Sequence, residues 1–363
     1  MNTPLLTVTT PSGSYPIIVA PGALGQLPQH LQAAGLHGTL WLIADEAVYR
    51  PHAETLLAQL SAAGYRVHSI TVPSGELSKD MPNIMRLFDW LIAGGVERRD
   101  SILALGGGVV GDLAGFVAAT VLRGIHFVQL PTTLLAMVDS SVGGKTGINH
   151  TLGKNLIGAF YQPRLVLADV STLATLPSRE LHAGWAEAIK HGVIRDAGLF
   201  EQLEQEAGDA LQRSEIAMAS LVRRAVQVKV DIVNRDERET GERMLLNYGH
   251  TLGHAVEAAA GYGQLLHGEA VAIGMHLEAQ IAHALNMISA ELLERQRMLL
   301  AAYQLPTHIP AGMDLEAVEE LMLRDKKVRA GKVRWALPTG IGGAIIRDDI
   351  APALVRTILS AQR

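Results

Sequence analysis

The 363-residue sequence contains no cysteine. Disulfides, thiolate nucleophiles and sulfur-ligated zinc are therefore excluded, and any metal must be held by His, Asp or Glu. Aromatic residues make up only 4%, which leaves few platforms for stacked bases, and the net charge of −5 supplies no basic footprint. No nucleic-acid partner is expected, and the ligand should be small. Long apolar runs are missing too. The most apolar stretch, SILALGGGVVGDLAGFVAATVL, is dense in glycine and carries Asp112 near its centre, where a bilayer would impose about 2.5–3.5 kcal/mol for the charge. The opening MNTPLLTVTT has neither the basic region nor the continuous apolar core of a secretory signal. The expectation is a cytoplasmic enzyme or binding protein with no membrane span. With 48% hydrophobic and 18% charged residues, the composition is that of a globular chain long enough for two domains.

The first half alternates β-branched runs with helical patterns. LLTVTT and YPIIVA flank the turn signal PSGS as an opening hairpin, and GTLWLIAD, YRVHSITV, DSILALG, IHFVQLP and PRLVLAD are buried-strand runs. PHAETLLAQLSAAG, MPNIMRLFDWLIAGG and LAGFVAATVLRG lie between them, with apolar residues at helical spacing and a closing glycine. Such alternation predicts an α/β domain with a Rossmann-like parallel sheet over residues 1–170. Residues 171–363 are expected to form a second, mainly helical domain, with a short hairpin in KVRWALPTGIGGAIIR before a last helix.

Directly after SILAL comes Gly106-Gly107-Gly108-Val109-Val110-Gly111-Asp112, a match to G-x-G-x-x-G that leads into a helix. Glycine lets the backbone approach a pyrophosphate, and the helix start offers unpaired N–H groups. A simple dinucleotide fold carries this turn after its first strand; here it follows a later one, and a tight turn in a packed core is the plainer reading. Pro131-Thr132-Thr133 and the run Val138–Gly147, with Ser140, Ser141, Gly143, Gly144 and Lys145, crowd small and hydroxylated residues into one loop. GKNLIG adds Lys154 and Asn155 in a further loop. Two lysines among so many donors suit phosphate or carboxylate, against the alternative of solvated surface lysines.

His250 and His254 are spaced i, i+4 on one helix face, as in zinc-chelating H-E-x-x-H helices. A catalytic metal wants about three protein ligands and an open position. His267 opens the next helix, and Glu187 shares a helix face with Lys190 and His191 in HAGWAEAIKHG. By spacing alone His250 and His254 form the pair, any three of these groups could converge, and ordinary helix-face histidines remain the plain alternative.

GGGVVGDLAGFVAAT, LPTTLLAMVDSSVGGKTGIN, GKNLIGAFYQP, AGWAEAIKHG, DERETGERMLLNYGHTLGHAVE, LHGEAVAIG and RDKK together resemble the 3-dehydroquinate synthases of the shikimate pathway, in order and over nearly the whole chain. The resemblance implies an N-terminal α/β domain binding NAD, a C-terminal helical domain binding one zinc or cobalt ion per subunit, an active site in the cleft between them, and a homodimer. It places the metal on Glu187, His250 and His267 and makes His254 a substrate-side residue near the phosphate. It places the nucleotide on Asp45, Glu76, Lys79, Gly107, Gly108, Asp112, Thr132 and Thr133, with Lys145 and Lys154 beside them. Substrate contacts fall on Asp139, Lys145, Lys154, Asn155, Lys190, Lys229, Arg243, Asn247 and one lysine of Asp325-Lys326-Lys327, taken as Lys326. Arg123 corresponds to a residue that reaches the neighbouring subunit's phosphate site.

The reaction implied converts 3-deoxy-D-arabino-heptulosonate 7-phosphate to 3-dehydroquinate and phosphate by transient oxidation, elimination, re-reduction and ring closure. Lys145, Lys190, His254, Asn247 and Asp139 are the expected catalytic groups. Competing readings are another sugar phosphate cyclase, a metal-dependent polyol dehydrogenase, and a nucleotide-binding protein without catalysis. The cations Lys154, Lys229 and Arg243 beside Asn155 favour a carboxylate-bearing substrate over glycerol-like alcohols.

Overall fold

The computed structural model describes residues 5–261, 263–323, 328–329 and 332–362. The chain divides into two compact units, Met1–Pro177 with Met218–Glu237, and Ser178–Ala217 with Arg238–Arg363.

The first unit is built on a sheet of β1 (Leu6–Thr10), β2 (Gly13–Ala20), β3 (Leu40–Asp45), β4 (Val67–Val72), β5 (Ser101–Gly106), β6 (His126–Pro131) and β9 (Leu165–Asp169), in the order β1-β2-β9-β6-β5-β3-β4. Only the opening hairpin β1–β2 is antiparallel; the remaining neighbours run parallel. Alternation along the strands divides the core between two faces. Leu40, Leu42, Leu103, Leu105, Val128 and Leu130 pack under α1 (Leu27–Ala33) and α3 (Glu54–Ala62), which precede and follow the short α2 (Glu46–Val48). Trp41, Ile43, Ile102, Ala104 and Phe127 pack under α4 (Met81–Ala93) and α5 (Gly108–Thr120). Covering both faces is what makes these strands read as continuous apolar runs.

β7 (Lys145–His150) and β8 (Gly153–Phe160) form an antiparallel ribbon where loops were expected for Lys145 and Lys154. The abundance of glycine reads as flexibility, yet a side chain at Gly147 or Gly158 would strike the backbone of the facing strand. These glycines permit close pairing rather than a loose loop.

The first unit also extends past the boundary at 170 expected from the sequence, taking in residues 171–177 and most of α8 (Glu215–Arg235). Asn234 Oδ1 accepts from Thr9 N (2.7 Å), Thr10 Oγ1 donates to Glu237 Oε1 (3.1 Å), and Arg223 Nη2 donates to Val19 O (3.1 Å). This segment protects the edge strand β1, which would otherwise expose unpaired backbone groups.

The second unit contains α6 (Ser178–Ile194), α7 (Ala197–Leu211), α9 (His250–Ala260), α10 (His267–Ala284), α11 (Ala290–Ala302), α12 (Leu315–Leu323) and α13 (Pro352–Ser360). A two-residue ladder, β10 (Val328–Arg329) with β11 (Lys332–Val333), and the hairpin β12 (Trp335–Gly340) with β13 (Gly343–Arg347) accompany them. Its core gathers Leu252, Val256, Ile273, Leu277, Trp335 and Val355. Among the described residues, no helix is long and apolar enough to cross a membrane.

Candidate active site

In the first unit the chain runs from β3 outward to β4 and then returns to β5 on the other side of β3. The carboxyl ends of β3 and β5 thus flank the point where strand order reverses, the place where open α/β sheets hold their ligands. Asp45 stands at one side, where its carboxylate accepts from Ala47 N (2.9 Å) and from Ser74 Oγ. Gly106 and Gly107 stand at the other, and Gly107 starts α5 without any side-chain cap. A Cβ at Gly107 would lie 3.1 Å from the Thr133 methyl, and one at Gly108 2.8 Å from Ser140 Oγ. Both glycines therefore bring the segment after β6 against the start of α5. Thr133 Oγ1 accepts from Ala136 N (3.2 Å), while the buried hydroxyl of Thr132 has no hydrogen-bond partner among the described residues.

Lys79 is the hub of this unit's polar network. Its ammonium is 4% exposed, 2.7 Å from Asp112 Oδ2 and 3.7 Å from Glu76 Oε1, and it donates to Asn155 Oδ1 at 2.6 Å. Burial alone would lower its pKa; the Asp112 and Glu76 carboxylates outweigh that and raise it. Asn149 stitches the ribbon to this turn, donating from Nδ2 to Glu76 Oε1 (2.7 Å) and accepting from Asn155 N (2.9 Å). Asn155, expected among the substrate residues, thus sits with the nucleotide group, in the left-handed region at φ 55°. Lys145 opens β7 and Lys154 lies in β8. Lys229, on α8, is paired to Asp139 (Nζ to Oδ1 2.6 Å) and also donates to its carbonyl. Arg123 is exposed, and Leu122, Arg123 and Gly124 all have positive φ, at 49°, 68° and 117°, a costly run for non-glycine residues.

In the second unit, α6, α9 and α10 deliver four side chains to one point. Glu187 is fully buried, and its Oε1 lies 3.3 Å from His250 Nε2 and 3.6 Å from His267 Nε2. Its other oxygen is ion-paired with Lys190, one helical turn along and 1% exposed. The rings of His250, His254 and His267 form a triangle with centroids 5.3, 5.3 and 5.8 Å apart, and their donor nitrogens lie within 4.8 Å of one another. All three histidines named from the sequence converge, and Glu187 faces His250 and His267.

The fit to a metal is legible in the proton positions. His250 Nδ1 lies 3.0 Å from the Tyr248 carbonyl, which can only accept. The ring proton is therefore on Nδ1, and the Nε2 lone pair points at an anionic oxygen. Burial and the Lys190 charge hold this imidazole neutral, with its pKa pushed down to about 3. Lone pair against carboxylate is repulsive unless a cation lies between them, and the Lys190 ammonium is paired to the other Glu187 oxygen. Donor atoms on one tetrahedral zinc stand about 3.4 Å apart, which is the spacing found. His267 differs: burial would lower its pKa, but Glu187 and Glu257 raise it to about 9. Glu257 Oε2 sits 3.3 Å from His267 Nδ1, which leaves Nε2 for the Glu187 side. Burial would raise the Glu187 carboxyl, but Lys190 and His250 hold it well below the usual range.

Arg243 is buried on the 3-10 turn Glu242–Asn247, and Asn247 Nδ2 donates to Glu239 Oε1 at 2.9 Å, with Glu239 at φ 59°. Lys326 lies outside the described residues. Sequence reasoning missed Glu239, Asn149, Glu257 and Glu278. Glu257 was within reach, since it follows His250 and His254 on one helical face; the others depend on tertiary pairing.

The chain matches the family described as 3-dehydroquinate synthase N-terminal over residues 69–183 and that described as 3-dehydroquinate synthase C-terminal over 184–328. It is 48% identical to the 3-dehydroquinate synthase of Nostoc punctiforme, covering 98% of this chain and 99% of the relative. It is 47% identical to that of Synechocystis sp., with the same coverage. Among solved structures, 2-epi-5-epi-valiolone synthase from Streptomyces hygroscopicus, with NAD+ and Zn2+ bound, superimposes with a TM-score of 0.89 at 31% identity, covering 98% of each chain. A 2-deoxy-scyllo-inosose synthase complexed with carbaglucose-6-phosphate, NAD+ and Co2+ gives 0.91 at 26% identity, covering 99% of this chain and 100% of that one.

Proposed function

The chain belongs to the 3-dehydroquinate synthase family, and from that premise we propose that it converts 3-deoxy-D-arabino-heptulosonate 7-phosphate to 3-dehydroquinate and phosphate, as a carbon–oxygen lyase of the shikimate pathway. The observation that carries the reading is the buried Glu187 oxygen approached by two imidazole Nε2 atoms at 3.3 and 3.6 Å, in a chain whose other unit carries a nucleotide-type glycine turn. Another sugar phosphate cyclase is the rival. The 48% identity to 3-dehydroquinate synthases, against 31% and 26% to two other cyclases, favours the first. A cytoplasmic homodimer is part of the proposal.

Bound NAD+ supplies a hydride acceptor that returns what it takes, and a bound zinc or cobalt ion supplies a Lewis acid. Glu187, His250 and His267 are the proposed metal ligands. Asp45, Glu76, Lys79, Gly107, Gly108, Asp112, Thr132 and Thr133 are the proposed nucleotide residues, with Lys145 and Lys154. Lys79 holds Asp112 and Asn155 in place. Lys145, Lys154, Lys190, Lys229, Arg243 and Lys326, with Asn155, Asn247 and Asp139, would bind and orient a substrate carrying both carboxylate and phosphate. Each charge-assisted contact contributes about 1.5–3 kcal/mol. Arg123 would serve the partner subunit's phosphate site. Elimination needs only a weak base: a phosphate oxygen takes the proton from the carbon beside the oxidised centre, and His254 orients that phosphate.

Two measurements test this. With NAD+, zinc and the heptulosonate phosphate, the purified protein should release phosphate without net NADH; failure after remetallation would sink the assignment, and accumulating NADH would point to a dehydrogenase. His254→Ala should slow phosphate release by about 100-fold while zinc stays near one per chain. Loss of zinc would instead make His254 a ligand.

A further inference from the structure

We infer that Glu278 is the positioning residue for His250, holding that histidine in place by capping, from α10, the helix on which it stands; the inference rests on the metal reading above. α9 begins at His250 with Gly249 as its N-cap, in the left-handed region at φ 78° and with no side chain to offer. Helix starts leave amides without intrahelical acceptors, and Ser, Thr, Asp or Asn usually serve them. Here none could: a Cβ at Gly249 would overlap Met275 and lie 2.8 Å from Val271 O, and one at Gly253 would lie 2.9 Å from Ala270 O. α9 and α10 pack backbone to backbone, which removes the room for a local cap.

Glu278 supplies the missing acceptor from across that contact. It is fully buried, its Oε2 accepts from Gly249 N at 2.7 Å, and its Oε1 accepts from Thr251 N at 3.0 Å and Leu252 N at 3.1 Å. The amides on both sides of His250 are thus tied to one carboxylate, which also meets the positive end of the α9 dipole. The preceding residue is tied to the same helix: the Tyr248 hydroxyl is 2.9 Å from Met275 O, while the Tyr248 carbonyl fixes the His250 tautomer. α10 begins with His267. One helix therefore carries the first histidine and, three turns on, the carboxylate that places the second, so the spacing between their Nε2 atoms is set by a single rigid element.

The test is zinc affinity in the full chain, by competition with a chromophoric chelator after the metal is stripped, with NAD+ binding and the apo melting temperature measured alongside. Glu278→Gln keeps the shape but turns an amide NH2 toward one of the backbone donors. It should weaken zinc binding by about 10- to 100-fold, at a temperature where the apo variant is folded, and leave NAD+ affinity unchanged. Unchanged zinc affinity with a lowered melting temperature would make Glu278 purely structural and overturn the inference, as would equal losses of zinc and NAD+ binding. If Glu278→Gln does not fold, Glu278→Asp, which retains the charge but falls short of the amides, takes its place; it should also bind zinc more weakly, and wild-type affinity in it overturns the inference. Failure of the wild-type chain to bind one zinc would sink the metal reading itself, independently of Glu278.

Discussion

Glu187→Gln should bind zinc roughly 10²- to 10³-fold more weakly than the wild-type chain and lose a comparable factor in phosphate release. The carboxylate is wholly buried between His250, His267 and Lys190, so no water can replace its charge. Taking one partner from a buried charged cluster costs about 3–5 kcal/mol, and each 1.4 kcal/mol is about a factor of ten in affinity. Glutamine fills the same volume but offers a neutral oxygen, and its NH2 group must then either oppose the Lys190 ammonium, donor against donor, or donate to His250 Nε2 and so occupy the lone pair the metal needs. The measurement is chelator competition on the stripped variant, followed by phosphate release at saturating zinc. Affinity within threefold of wild type would show that the carboxylate is not a ligand and would move the metal to the three histidines, whose nitrogens also cluster.

The outcome bears on what a sequence can reveal. The parallel sheet was legible because strands buried on both faces, such as Leu40–Asp45 and Ser101–Gly106, read as unbroken apolar runs between helical patterns. The β7–β8 ribbon was not, because Gly147 and Gly158 give the same signal in a loop as in two strands packed too closely for side chains. Likewise, periodicity marks α8 as a helix, but nothing local tells that Asn234 reaches back to the amide of Thr9. At the metal centre, i, i+4 spacing brought out His250 and His254, and the structure does cluster them with His267. The carboxylate facing two of them comes from sixty-odd residues upstream, and spacing within one helix carries no information about a residue on another. The resemblance to a family supplied Glu187; the geometry supplies the reason, an acceptor oxygen met by the lone pair of His250 Nε2. Glu278 escaped both kinds of reading, since its role exists only where α9 and α10 lie against each other.

Lys190→Met should destabilise the metal-free protein far more than the zinc-loaded one. Methionine keeps the apolar stem of a side chain that is 1% exposed and removes the ammonium from Glu187. In the stripped wild-type chain that carboxylate is balanced by Lys190 and by His267, whose pKa is pushed up to about 9; His250, pushed down to about 3, contributes no charge at neutral pH. Loss of the lysine should cost the apo form about 3–5 kcal/mol, a fall of roughly 10 °C in melting temperature for a unit of this size. Zinc restores a positive charge beside the same carboxylate, so saturation with the metal should recover most of the loss. The pH dependence has a definite sign. Lys190 and His250 hold the Glu187 carboxyl well below its usual range against burial, which raises it; the stability this contributes is present above the unfolded carboxyl value and lost as pH falls through the folded one. Without the lysine that contribution shrinks, so the apo wild type and variant should differ most near neutral pH and converge in acid. Melting curves of both proteins, with and without zinc, from neutrality to well below the ~4.3 of an ordinary glutamate decide it: equal destabilisation of apo and zinc-loaded forms would mean that Lys190 acts through packing alone and that its charge is not what balances Glu187.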